Sequence, residues 1–193
     1  MKGREAPLME KSRKVSARKG LMDTLEQLLH KKPFQKISVN ELCERTLVSR
    51  TAFYANFRDK YHLLACCLES KTAAVNSLIE THSTEEFLSV ILDFIQKDPR
   101  FFYNTFGAHP EEEILDIMFG FFERQITSFL EDQTEKGLVL PCPAEIVSSF
   151  CVGGLTVSTL RWIKSNYKTP KEDLAAFQYT LLRSILSGSQ RVP

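Results

Sequence analysis

Apolar positions recur at helical spacing along almost the whole chain. Leu21, Leu25, Leu28 and Leu29 lie three and four apart, with Val15 six residues earlier, which builds one apolar stripe and predicts a helix from about Ser12 to Lys31. Pro33 stops it. Ser38-Val39-Asn40-Glu41 reads as a capping box, in which the Ser hydroxyl and the Glu carboxylate each satisfy an orphan N–H of a helix start. A short helix from about Val39 to Arg45 follows, then a brief connection, Thr46-Leu47-Val48. Ser49 is a second cap, opening a helix of two turns from Arg50 to Phe57.

Longer helices come next. Asp59 caps a helix over about Lys60 to Ile79, and a second capping box, Ser83-Thr84-Glu85-Glu86, opens one to about Lys97. Asp98-Pro99 is an N-cap with proline at the first helical position. The stretch from about Pro110 to Lys136 ends at Gly137, a left-handed stop. After Pro141 and Pro143 the pattern predicts a helix over about Ala144 to Tyr167, and Thr169-Pro170-Lys171-Glu172 caps the last, to about Ser187. No segment alternates strictly enough for a strand, so the expected fold is all-α, about nine helices without an internal repeat.

Composition narrows the class. With 193 residues, 43% of them apolar, and 25 Lys+Arg against 24 Asp+Glu, the chain has the profile of a globular protein of one or two domains. No uninterrupted apolar run approaches the roughly 18 residues of a membrane span, and the first fourteen residues lack the apolar stretch of a signal peptide. The expectation is a cytoplasmic protein with no membrane association. The five cysteines are odd in number and form no C-x-x-C pair, which favours reduced, buried thiols over a disulfide framework.

The small net charge hides an asymmetry. Residues 1 to 62 hold 14 Lys+Arg against 7 Asp+Glu, and the remaining 131 hold 11 against 17. A basic N-terminal third is what a polyanion-binding module needs for counterion release. Within it, helix, three-residue turn and short helix make a helix-turn-helix, whose second helix enters the DNA major groove. Ile37, Leu42, Val48, Phe53 and Phe57 lock the short helices onto the first, leaving Arg50, Thr51, Ala52, Tyr54 and Asn56 on or near the outer face. Tyr54 offers a hydroxyl to phosphate and a ring to a sugar or thymine methyl, and Arg50 can grip guanine or a phosphate. Ser38 and Lys60 sit at helix N-termini, where the dipole favours phosphate.

These residues resemble a known family. ISVNELCERTLVSRTAFYANFRDKYHLL looks like the DNA-binding signature of the TetR (tetracycline repressor) family of bacterial regulators, over about residues 12 to 64. The helix cap, the apolar frame, the aromatic-Tyr pair at 53 and 54, Phe57 and Asp59-Lys60 recur in order. The resemblance implies that Ser38, Tyr54 and Lys60 meet phosphates and that Asn40, Arg50 and Thr51 reach base edges; with Ser49 and Asn56 these form the candidate DNA-contact set. Leu47 stands where the family usually has glycine in the turn, and Ala52 and Asn56 replace the commoner Thr and His. The stretch from about Ser149 to Leu186 resembles the ligand and dimerisation domain of one subtype.

The acidic remainder carries two further patterns. Eleven of the fourteen phenylalanines lie after residue 86, and adjacent Phe121 and Phe122 cannot share one narrow stripe, so part of this set is a candidate lining for an apolar or aromatic effector. The candidate pocket residues are Phe94, Phe102, Tyr103, Phe106, Met118, Phe122, Gln125 and Trp162. Gly153-Gly154 lies in mid-helix at a cost of roughly 1 kcal/mol each, which close approach of another helix would offset. With the apolar residues around it, the pair predicts a four-helix interface with a second copy.

Enzyme readings find no support in the sequence. There is no G-x-S-x-G, Walker A or G-x-G-x-x-G motif, and the histidines at 30, 62, 82 and 109 lack metal-binding spacing. Glu111-Glu112-Glu113 is dipole complement in a first helical turn. The expectation is a homodimeric transcription regulator with no catalysis, cofactor or metal. Residues 1–64 read an operator, and residues 65–193 bind an effector and dimerise. The alternative is a coactivator or adaptor that keeps the fold and acts through a protein partner.

Overall fold

The computed structural model describes residues 5–79, 84–107, 110–135, 137–140 and 142–187. Among them it is all-helical, with nine α-helices and no strand. The second capping box begins at Ser83, outside the described residues, as do His82 and His109. Contacts divide the chain into two compact units, up to Ala74 and from Val75 onward.

The first unit holds α1 (Glu5–Leu29), α2 (Val39–Thr46), α3 (Arg50–Tyr54) and the first part of α4 (Lys60–Ile79). α1 starts earlier than its apolar stripe, and a 3-10 turn, Phe34–Lys36, follows Pro33. Leu21, Leu25, Leu28 and Leu29 face a core shared with Phe34, Ile37, Leu42, Phe53, Phe57, Leu63 and Leu64, all essentially inaccessible. Each such side chain is worth about 1.5–3 kcal/mol of burial, and this packing holds helices too short to stand alone. Val48 is only half-buried. A Cβ on Gly20 would come within 3.0 Å of Thr46 Cγ2, so the bare glycine lets α2 lie close against α1. Lys32 Nζ to Glu41 Oε2 (2.5 Å) ties α2 to the end of α1, and Lys71 Nζ to Glu26 Oε1 (2.6 Å) ties α4 to α1.

The second unit contains α5 (Thr84–Lys97), α6 (Pro99–Phe102), α7 (Glu112–Glu135), α8 (Ala144–Lys164) and α9 (Lys171–Ser187). Asp98 caps α6 through the Phe101 N–H, with Pro99 at its first position, and α6 runs into a π-helical turn, Tyr103–Gly107. α7 packs on α8 and α5 on α9. On α7, Ile114, Met118, Phe122, Ile126 and Leu130 form a buried stripe at a spacing of four, and Gly137 stops the helix with φ +94°. Among the described residues α8 alone is long and apolar enough to cross a membrane by length and composition, and 56% of that window is buried within the protein.

α8 ends at Lys164, short of Tyr167, because Asn166 and Tyr167 both take left-handed backbone (φ 57° and 60°). The Tyr167 ring meets Trp162 edge-on at 4.9 Å and its hydroxyl donates to the Pro99 carbonyl at 2.9 Å. Burial pushes its phenol well above the usual range. Lys171 pairs with Asp93, joining α9 to α5.

Candidate functional site

The helix-turn-helix is built by two caps and one strained residue. Ser38 Oγ accepts the Glu41 N–H at 3.2 Å and starts α2, and Ser49 Oγ accepts the Ala52 N–H at 3.1 Å and starts α3. The first capping box forms only by half, because the Glu41 carboxylate goes to Lys32 and to Arg45 Nε (3.3 Å) instead of back to the cap. The hydrogen bond from Lys32 holds the Glu41 carboxyl below the usual range, helped by the charges of Lys32 and Arg45 against the opposing effect of burial.

Between the caps, Leu47 adopts φ 55° and ψ 38°. Its N–H donates to Glu44 O and that of Val48 to Cys43 O, the paired bonds of a left-handed helix stop normally made by glycine. The turn therefore keeps the glycine geometry with leucine in place, and the Leu47 side chain is 93% exposed. A left-handed leucine costs roughly 1–2 kcal/mol.

Four of the candidate contact residues stand together. Arg50 Nη1 donates to Asn40 Oδ1 at 3.0 Å and its guanidinium lies 5.9 Å from the Tyr54 ring centre, while Thr51 follows on the same exposed helix start. Asn40, Ser49, Arg50, Thr51 and Tyr54 are all exposed. Asn56 is half-buried, and its side-chain amide donates to the Ala52 carbonyl at 2.7 Å, closing the end of the reading helix. α3 is thus shorter than the two turns expected, although hydrogen bonds from Ala55, Asn56 and Phe57 continue the coil. Lys60 opens α4 with its ammonium 4.6 Å from the Phe34 ring centre. Asp59 Oδ1 accepts the His62 N–H at 2.7 Å and caps that helix.

The candidate effector residues fall into two groups. Phe94, Phe102 and Phe106 meet ring to ring, at 5.4 Å and 6.3 Å between centres. Phe102, Phe106, Met118, Phe122 and Trp162 are buried, Phe94 and Gln125 half-buried and Tyr103 exposed. Trp162 is committed to the α8–α9 connection, where its Nε1–H donates to the Thr169 carbonyl at 2.8 Å. Sequence reasoning did not point to Thr156, fully buried in α8, whose Oγ1 has no hydrogen-bond partner among the described residues.

An apolar hollow lies between α8 and α9, lined in part by Phe150, Gly154, Leu155, Phe177 and Leu181. Ile146, Phe150, Val157, Phe177 and Leu181 are exposed, and a Cβ on Gly153 or Gly154 would meet no atom within 4 Å. Among the described residues, none comes within 4 Å of where those two Cβ atoms would stand.

All five cysteines are free; Cys142 is half-buried and the rest are buried, with Cys67 pushed up to about 12 mainly by burial. Among the described residues no group of three His, Cys, Asp or Glu is placed to hold a metal ion.

Comparison with known proteins decides the class. Residues 21–67 match the model of bacterial regulatory proteins of the tetR family, and residues 82–184 match the C-terminal region of transcriptional regulators of the same family. The chain belongs to the TetR family. It is a DNA-binding transcriptional regulator and not an enzyme. No curated protein sequence matches it.

Solved structures of other proteins share the fold at low identity. A TetR regulator from Streptococcus agalactiae 2603V is 16% identical with a TM-score of 0.65, covering 91% of this chain and 98% of its own. The fatty acid degradation regulator FadR from Bacillus halodurans is 16% identical with a TM-score of 0.60, covering 85% and 96%. The dihydroxyacetone kinase operon activator DhaS is 17% identical with a TM-score of 0.62, covering 89% and 96%.

Proposed function

We propose that this TetR-family protein is a cytoplasmic repressor that binds a palindromic operator as a homodimer and is released by a small apolar or aromatic effector. The observation that carries operator reading is the exposed Arg50–Asn40–Tyr54 cluster at the start of α3. Arg50 reads a base edge with Thr51 and Asn40 beside it, while Ser38, Ser49, Tyr54 and Lys60 meet the phosphates. Residues 1–64 carry this reading segment, and Asn56 supports its end rather than a base.

Dimerisation through α8 and α9 is supported by the exposed apolar residues around Gly153-Gly154, a patch of the kind that marks an interaction site. Effector binding by residues 65–193 is supported by the clustered Phe94, Phe102 and Phe106. An effector acts only through different affinities for the DNA-competent and incompetent states.

A second reading, a coactivator or adaptor, is favoured by Leu47, a fully exposed apolar residue in the turn beside the reading helix. Selection of fragments from a random DNA pool tests both. A palindrome with half-sites about one helical turn apart supports the operator reading. No enrichment, with a protein partner captured instead, favours the adaptor.

A further inference from the structure

α3 is five residues long, and a helix of that length has no stability of its own. Its start is held by the Ser49 cap, and Phe53 anchors its middle in the core. Its end is closed by the Asn56 amide on the Ala52 carbonyl, and a side chain distant in sequence fixes the residues that follow. Arg18 on α1 donates from Nη1 to the Asn56 carbonyl at 3.3 Å, 38 residues away. The same guanidinium lies 4.7 Å from the centre of the Phe57 ring, and its Nη2 donates to Cys66 Sγ on α4 at 3.1 Å.

One planar cation therefore joins α1, the exit of the reading helix and α4. Phe57 and Cys66 are buried, so these contacts are screened little by water. A positive charge at a helix C-terminus also complements the helix dipole. Only arginine fits all three contacts, because its rigid fork offers several N–H groups and a flat face, whereas lysine presents a single point charge.

We infer that Arg18 is a positioning residue for DNA recognition, fixing the direction in which α3 leaves the core so that Arg50 and Thr51 meet base edges together. The inference rests on the proposed reading of an operator by α3. Arg18 acts through Asn56 and Phe57 and does not touch the duplex. Its loss tilts the reading helix without removing a phosphate contact.

The experiment uses the full chain and its Arg18→Lys and Arg18→Ala variants, with folding monitored by circular dichroism. Affinity is measured across a salt series for the operator selected by the wild type and for a random duplex. Both variants should lose about tenfold or more on the operator, the scale of one charge-assisted hydrogen bond. Affinity for the random duplex and its salt slope should stay as in the wild type. Arg18→Lys keeps the charge and carries the test if Arg18→Ala fails to fold.

An equal loss on both duplexes, with a salt slope lower by about one unit in Arg18→Ala, would make Arg18 a phosphate contact and overturn the inference. Full operator affinity in both variants would overturn it as well and leave the operator reading standing. A wild type that selects no sequence at all would bring down the operator reading and this inference with it.

Discussion

Arg50 Nη1 donates to Asn40 Oδ1 at 3.0 Å, a bond between the first turn of α2 and the first residue of α3. Arg50 itself is exposed at that helix start. Asn40 thereby orients the fork that reads the operator, in addition to standing near the duplex itself. Arg50→Ala should relax base preference at one position by about 1–3 kcal/mol of discrimination. Asn40→Ala should relax the same position by less, and the double variant should lose less than the sum. Fragment selection with each variant checks this; unchanged motifs would reduce Arg50 to a phosphate contact.

Leu47 should be replaceable with profit. Its side chain packs on nothing that its 93% exposure would forfeit, and its φ of 55° is strained for any residue with a Cβ. Leu47→Gly relieves that strain and costs backbone entropy, so a net gain of about 0.5–1 kcal/mol is expected. Thermal melting reads it directly. A fall in melting temperature would show that the turn is held by the leucine side chain.

Gly154→Leu separates folding from assembly. A Cβ at this position meets no atom within 4 Å among the described residues, and glycine to leucine within a helix favours helix formation. Helicity should be kept, while sedimentation should show monomers. Operator affinity should drop by about 10²-fold or more, because linked half-site binding is lost. A variant that stays dimeric would remove the glycine pair from the interface.

The Glu41 carboxyl lies below its usual range when folded, held there first by the hydrogen bond from Lys32. A depressed carboxylate stabilises the fold above its unfolded pKa, about 4.3, and that contribution disappears as pH falls through the lower folded value. Glu41→Gln should therefore melt below wild type at pH 7, and the two curves should converge as acid protonates the carboxylate. A difference that persists unchanged into acid would mean that the ion pairs with Lys32 and Arg45 contribute nothing.

Phe122→Ala and Phe94→Ala divide core from pocket. Phe122 is fully buried on the α7 stripe and its loss should cost about 3–5 kcal/mol. Phe94 is half-buried against Phe102, so Phe94→Ala should fold well and lose the rise in melting temperature that an aromatic ligand produces in the wild type. If no ligand in a broad aromatic panel shifts wild-type melting, the effector reading should be dropped.

Local chemistry made much of this protein legible from its residues alone. Helical spacing needs only near neighbours, so Leu21, Leu25, Leu28 and Leu29 announced α1, and Ser38, Ser49 and Asp98 announced starts that their side chains cap. The order of short helices, with Tyr54, Phe57 and Asp59-Lys60, carried the resemblance to the family that the comparisons establish. The relationships that cross the core were not legible, because they depend on which faces meet. The Glu41 carboxylate left its capping box for Lys32, nine residues back, because the end of α1 brings that ammonium within 2.5 Å. Leu47 stood where the family usually has glycine, yet whether the turn would keep the left-handed geometry or take another route was not legible; packing of α2 and α3 on α1 imposes it. Arg18 resembled any surface cation of a basic segment until tertiary structure set Asn56, Phe57 and Cys66 around it. Sequence determines what each stretch forms by itself, and three-dimensional packing decides which long side chains find partners, since those bonds join different elements, from nine to 48 residues apart.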